Sequence, residues 1–172
     1  MAMKRSLAAA AALVLLLCSG CGYKPVLRSG FAWSNIKSVC VSTIANRTEQ
    51  PGLGGLITES LREEFARYGK VRVVPCDRAD AIFQGEVADF KLSPISFANA
   101  EYAAEFRLVV KLKARLVDGE TGAVLWEGSE LWSAEEYFAV PDLSYLVVAK
   151  KEASAKAAEK LAQLISAELF AF

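Results

Sequence analysis

Residues 106–117 alternate in polarity more regularly than any other stretch of the chain. Phe106, Leu108, Val110, Leu112, Ala114 and Leu116 hold one parity, and Arg107, Val109, Lys111, Lys113, Arg115 and Val117 the other. Only an extended strand sends successive side chains to opposite sides, so this is a long strand with one dry and one wet face. A sheet with a wet face is covered by other layers on one side only. Asp118-Gly119-Glu120-Thr121-Gly122 reads as a hairpin loop, and Val124–Trp132 as the returning strand. If Val117 faces Ala123, Lys113 opposes Glu127 and Trp126 opposes Ala114, an opposite-charge pair and a large–small match. The same register puts Glu130 on the dry face opposite Val110. A bulge at Gly128, turning Leu131 inward, is the expected remedy.

The other elements follow from periodicity and punctuation. Residues 36–44 are β-rich and read as a first strand, and 46–52 as a loop. Leu53, Ile57, Leu61 and Phe65, with Leu56 and Tyr68 alongside, make a helical stripe, and Gly69 stands where a left-handed residue ends such a helix. Val71–Val74 is a short strand, and 75–80 a turn. Residues 81–92 form a strand whose apolar parity switches from Phe83, Gly85 and Val87 to Phe90 and Leu92, which predicts a bulge near Ala88-Asp89. Residues 93–103, containing Pro94, read as a connection. A last helix over 152–169 has Ala157, Ala158, Leu161, Leu164 and Ile165 on one face. The expected fold class is α/β. It is a two-layer sandwich, with two helices packed on one face of a mixed, mostly antiparallel sheet of four to five strands.

Composition narrows the chemistry. The 20 Lys and Arg balance 20 Asp and Glu, which argues against a nucleic-acid binder, since phosphate neutralisation needs a clustered cationic excess. Histidine is absent, removing the commonest general base and the usual partner of nucleophilic serine or cysteine. Gly52-Leu53-Gly54-Gly55 precedes a helix, but no Lys-Ser/Thr follows to make a phosphate loop. The adjacent carboxylates Glu63-Glu64 and Glu135-Glu136 read as solvated charges, and Asp77, Asp80 and Asp89 lack calcium-loop spacing. No enzyme, metal site or cofactor is expected.

The N-terminus is an address. Lys4 and Arg5 precede Leu7–Leu17, which carry no polar side-chain atom, and small residues follow. This is the pattern of a Sec-type secretory signal peptide. Eleven helical residues span only about 16 Å, half of a bilayer core. Leu17-Cys18-Ser19-Gly20-Cys21 resembles the bacterial lipobox, which implies cleavage before Cys21 and attachment of diacylglycerol and an N-acyl chain (palmitate-type) to it. The same resemblance implies, since residue 22 is Gly and not Asp, sorting to the periplasmic leaflet of the outer membrane. The expected divisions are a signal peptide over 1–20, a lipidated tether over 21–34 and one domain over 35–172. Two cysteines then remain, Cys40 and Cys76, in an oxidising compartment. They are either a disulfide or two separate buried thiols.

Binding is the remaining role. Arg107, Lys111, Lys113 and Arg115 line the wet face of the long strand over roughly 27 Å. They form either a ridge for an anionic partner or a solvated face neutralised by Glu127 and its neighbours. Phe97 and Tyr102 flank the preceding connection, either as an aromatic tip for a partner or as packing over the core edge.

Several segments, taken in order, resemble a known family. They are Cys21-Gly22-Tyr23, Ile36-Lys37-Ser38-Val39, Asn46-Arg47-Thr48-Glu49-Gln50-Pro51-Gly52-Leu53 and Arg78-Ala79-Asp80-Ala81. The stretch 90–97, Ala104-Glu105-Phe106-Arg107 and Thr121-Gly122-Ala123-Val124-Leu125-Trp126-Glu127 complete the set. Together they are similar to LptE, the lipopolysaccharide-assembly lipoproteins. The resemblance implies two helices on a mixed sheet. It also implies a non-enzymatic role as a plug in the outer-membrane β-barrel partner LptD, with lipopolysaccharide as a second contact. Better-known members carry basic residues in the loop before the Ala-Glu-aromatic segment. Here that loop is Ala98-Asn99-Ala100-Glu101, and the ridge becomes the candidate contact instead. A pilotin-like or scaffold lipoprotein of another envelope secretion machine is the alternative.

Overall fold

A computed structural model describes residues 36–97, 103–139 and 142–170. The expected signal peptide, the tether with Cys21, and Tyr102 lie outside the described residues. The chain runs β1 (Ser38–Val41), β2 (Ala45–Asn46), α1 (Leu53–Tyr68), β3 (Arg72–Val73), a single 3-10 turn (Cys76–Arg78), β4 (Ala81–Phe97), β5 (Ala103–Asp118), β6 (Val124–Phe138) and α2 (Leu143–Phe170).

The sheet order is β3-β1-β4-β5-β6, with β2 also paired to β4. β1 runs parallel to both β3 and β4, and β2 parallel to β4; the β4–β5 and β5–β6 pairs are antiparallel. The sixth strand, beyond the expected four or five, is the two-residue β2. It arises because the first strand breaks at Ser42–Ile44 and resumes along the same edge of β4. At the break the Ser42 N–H and hydroxyl both donate to the Phe83 carbonyl, at 3.0 and 2.8 Å.

Both helices cover one face of the sheet. Leu53, Ile57, Leu61 and Phe65 of α1 are fully buried, as the stripe predicts. So are Ala157, Leu161 and Ile165 of α2. Leu164 is 46% exposed, and Ala162 takes a buried place beside Leu161. Phe65 joins the layers, edge-on to Phe83 at 5.7 Å and to Phe170 at 5.4 Å. Gly69 ends α1 in the left-handed region at φ 71°, with its N–H donated to the Phe65 carbonyl at 3.4 Å.

The long hairpin keeps its faces but shifts its register. Val117 pairs with Val124, Leu116 with Trp126, Arg115 with Glu127 and Ala114 with Gly128. Glu127 therefore meets Arg115, not Lys113, and Trp126 meets Leu116, not Ala114. The turn causes this. Asp118 accepts hydrogen bonds from the Thr121 N–H at 2.7 Å, the Thr121 hydroxyl at 2.8 Å and the Glu120 N–H at 3.1 Å. Its own N–H donates to the Ala123 carbonyl, which pulls Ala123 one residue further along. An irregularity near Leu125 adds the next step. A two-residue shift preserves which side chains face the core, so the alternation survives although the pairs change. The bulge after Gly128 is present, between the Ala114–Gly128 and Leu112–Leu131 pairs, and Leu131 is buried. The β4 bulge also falls where the parity switches, between Val87 and Asp89.

Several elements run longer than their sequence signals. β6 continues past Trp132 to Phe138, paired with β5 throughout. β4 continues through Pro94 to Phe97, because beyond Val87 no described strand pairs with its outer edge and a proline there breaks no ladder. α2 begins at Leu143 instead of Glu152. Asp142 caps it, accepting the Ser144 N–H at 2.8 Å, while residues 143–149 are mostly apolar, with only Ser144 and the Tyr145 hydroxyl polar, and show no stripe.

Candidate functional site

β5 carries the four cations as a straight row. The bulges fall on β4 and β6, so Arg107, Lys111, Lys113 and Arg115 all stay on the face away from the helices, and all are exposed. The strands beside them supply the opposite charge. Arg107 meets Glu136 of β6, with its Nε 2.8 Å from Oε1. Lys111 lies 3.8 Å from Asp89 of β4. Arg115 donates to Gln84 Oε1 at 2.9 Å and pairs across β6 with Glu127. Lys113 stands opposite Glu86, which also takes Arg47 at 3.0 Å. The face is thus a band of cations bordered on both sides by carboxylates. Trp132, opposite Lys111, adds an exposed ring to it.

An open cleft of about 660 Å³ interrupts this band. Its floor is the backbone of Gly85, Ala114 and Gly128, paired in a row across three strands. Its walls are Gln84, Glu86, Lys113, Arg115 and Glu127, with Ser42 and Thr43 from the broken edge strand. A side chain at Gly85 would press on Ile44, and one at Gly128 on Trp126 and Leu131. The small row therefore exists for packing on the helix side, and the hollow on the other face follows from it.

Phe97 is 61% exposed at the far end of β4. Whether Tyr102 stands beside it lies outside the described residues. Cys40 of β1 and Cys76 of the 3-10 turn form a disulfide with Cα atoms 4.9 Å apart. The adjacent carboxylates do not converge. Glu135 pairs with Lys160 of α2 on the helix side, and Glu136 with Arg107 on the opposite side. Glu64 pairs with Arg67 on its own helix. Among the described residues no group of three His, Cys, Asp or Glu could hold a metal, and no helix is long and apolar enough to cross a membrane.

Three of the resembling segments prove to be fold devices. Asp80 accepts the N–H groups of Lys37 and Ser38 and the Ser38 hydroxyl, each at 2.9 Å, and so fixes the start of β1. The Lys37 N–H, followed by the Ser38 hydroxyl, holds its carboxyl below the usual aspartate range. In the 46–53 segment Asn46 accepts from the Thr48 N–H at 3.0 Å and donates to the Gln50 carbonyl at 2.7 Å, closing the loop that enters α1. In the 121–127 segment Thr121 holds Asp118 in the same manner as Ser38 holds Asp80, and lowers its pKa.

Sequence reasoning did not find the cleft or the exposed apolar start of α2. Asp142 before an apolar run is a capping signal for the second. The cleft depends on register and had no local signal.

The fold recurs in solved structures of other bacterial proteins, two of them described as lipoproteins. A Caulobacter crescentus protein described as a lipoprotein is similar with a TM-score of 0.53 at 19% identity, over 76% of this chain and 86% of that one. The uncharacterized lipoprotein B of Nitrosomonas europaea is similar with a TM-score of 0.53 at 20% identity, over 76% and 79%. A hypothetical protein of Chlamydia trachomatis reaches 0.51 at 10% identity, over 78% and 95%. At these identities the likeness is one of fold. No curated protein matches in sequence. The family model for lipopolysaccharide assembly, LptE, matches residues 36–170, which spans all the described residues, and the chain belongs to that family.

Proposed function

We propose that the protein is a non-enzymatic outer-membrane lipoprotein that plugs the LptD β-barrel and supports delivery of lipopolysaccharide to the cell surface. The observation that carries this reading is the two-signed outer face of the sheet. One face of β4–β6 is buried under helices, and the other presents Arg107, Lys111, Lys113 and Arg115 bordered by Glu86, Asp89, Glu127 and Glu136. The lumen of a large outer-membrane barrel is polar and hydrated, and a rigid polar sheet face suits its wall. The mechanism is steric and electrostatic. The domain fills the barrel and fixes its conformation, and its exposed cations are offered to lipid phosphates.

Export by the Sec pathway and acylation of Cys21 hold the domain at the periplasmic leaflet. Each buried acyl methylene contributes about 0.8 kcal/mol, so several chains make a lasting anchor. The covalent lipid is the only non-protein group this role needs. Mass spectrometry of the native protein should find Cys21 as a triacylated N-terminus. Depleting the protein from cells should leave the barrel misassembled and newly made lipopolysaccharide held behind the outer membrane. Normal surface lipopolysaccharide after depletion would contradict the reading.

A further inference from the structure

The sheet ends in a free edge. β6 is its last strand, and among the described residues no strand pairs with its outer side and no loop backbone bonds to it. Beyond the bulge that follows Gly128, residues 131–138 pair with 105–112 without a shift. The outward N–H and C=O groups of this regular stretch are a template for a further strand. Free edges in natural sheets are ordinarily blunted by lysine, proline or a bulge. β6 carries four glutamates and no Lys, Arg or Pro, and residues 131–138 contain no bulge. Apolar side chains beside the edge are left uncovered on both faces of the sheet. On the outer face Trp132 is 60% and Phe138 69% exposed, with Glu136 between them in the same parity. On the helix side Lys160 of α2 reaches Glu135 of β6. Leu164 lies one turn further along that flank of α2 and is half exposed.

We infer that this edge receives an extended, basic polypeptide segment of a partner, which adds a strand to the sheet beside residues 131–138. Charge selects a basic segment. On the outer face β5 holds the cations, whereas β6 holds Glu127 and Glu136 and no cation. An added strand stands directly opposite β6, where an opposite charge is stabilising and a like charge destabilising. Glu127 has no ion pair among the described residues. A second copy pairing through the same edge would set two strands side by side that carry glutamates and no cation. The side chains also fix a pattern for the segment. It has apolar residues opposite Trp132 and Phe138 and an arginine or lysine opposite Glu136, all of one parity, and its other parity lies toward Leu164. Backbone pairing supplies the affinity, and the alternate side chains supply the specificity. This goes beyond the barrel-plug reading. The wall of a closed barrel has no free edge to offer, so the segment is a loop or terminus of its protein.

The test uses the full chain, without the barrel, and the synthetic peptide Val-Thr-Arg-Thr-Val-Thr-Tyr-Thr, whose antiparallel docking sets its arginine opposite Glu136 and its tyrosine opposite Trp132. Amide hydrogen exchange over residues 131–138 is the readout, because it reports backbone pairing. At a peptide concentration ten times the dissociation constant, exchange there should slow about tenfold. The same peptide with glutamate in place of arginine should bind more weakly. Glu136→Lys, at an exposed ion pair that adds little to stability, should reverse that preference and leave circular dichroism unchanged. Two further peptides carry N-methyl groups on alternate amides, in one phase or the other. Only the phase facing β6 should lose binding. Loss in both phases or in neither would overturn backbone pairing. Absence of protection with the arginine peptide, or equal protection with the glutamate peptide, would overturn the basic segment. Protection of the same stretch that grows with protein concentration and needs no peptide would make the occupant a second copy and overturn the assignment. None of these failures touches the barrel reading, which is tested by purification from the outer membrane.

Discussion

Ser38 and Asp80 hold each other across the parallel start of the sheet. The Ser38 N–H and hydroxyl both donate to Asp80 Oδ2 at 2.9 Å, and the Asp80 N–H returns a bond to the Ser38 oxygen at 3.0 Å. The hydrogen bonds favour the ionised carboxylate, so its pKa is lowered, and the Thr121 contacts do the same at Asp118.

A carboxyl whose pKa is lower in the folded state contributes stability above its unfolded pKa. That contribution disappears as pH falls through the folded value. Stability conferred by Asp80 and Asp118 is therefore complete above about pH 4 to 5 and is lost below the ordinary aspartate range near 3.9. Urea melts from pH 6 downward should show an acid limb that is shallower in Asp80→Asn/Asp118→Asn than in the wild type. Parallel limbs would show that other groups set the acid sensitivity.

Gly54 touches the backbone of the break between β1 and β2. A Cβ there would collide with the Ile44 carbonyl oxygen, while Thr58 ties the same place by donating to the Gly54 carbonyl at 2.7 Å and accepting the Ile44 N–H at 2.9 Å. Gly54→Ala should cost about 1–3 kcal/mol by forcing α1 off the sheet edge. Gly55→Ala meets open space and, being within a helix, should be neutral or stabilising. Equal denaturation midpoints for the two would refute the close approach.

The Cys40–Cys76 bond closes a 36-residue separation that contains the whole of α1. Chain-entropy arguments put its contribution at about 3–4 kcal/mol. Melting with and without reductant, checked against Cys40→Ala/Cys76→Ala, should differ by about 10 °C. No difference would mean that the native protein carries free thiols.

Charge reversal on the β5 row should act on binding and spare the fold. Lys111 and Lys113 are exposed, and their neighbours Asp89 and Glu86 sit across the strand in solvent. Lys111→Glu/Lys113→Glu should weaken lipopolysaccharide binding about tenfold with unchanged circular dichroism. Unchanged binding would remove the row from the lipid-contacting surface.

The legible parts of the fold were those set by local periodicity. The β5 alternation, the α1 stripe, the Gly69 stop and both bulges can be read from residues a few positions apart. Register was not legible, because the Asp118–Thr121 hydrogen bonds that set it look like any polar turn in sequence. The length of β4 was hidden by Pro94, which signals a break unless the strand's outer edge is known to be open. The start of α2 was hidden because residues 143–149 are mostly apolar and carry no polar stripe. Of the surface, the cations were legible as a row, but Glu136, Asp89 and Glu86 become their neighbours only through cross-strand pairing.

Affinity purification of the native, acylated chain from detergent-solubilised outer membrane tests the central claim most directly. The account predicts a stoichiometric complex with one large β-barrel, LptD, that survives washing. Recovery of the chain alone, or with a ring-forming secretion component, would contradict it.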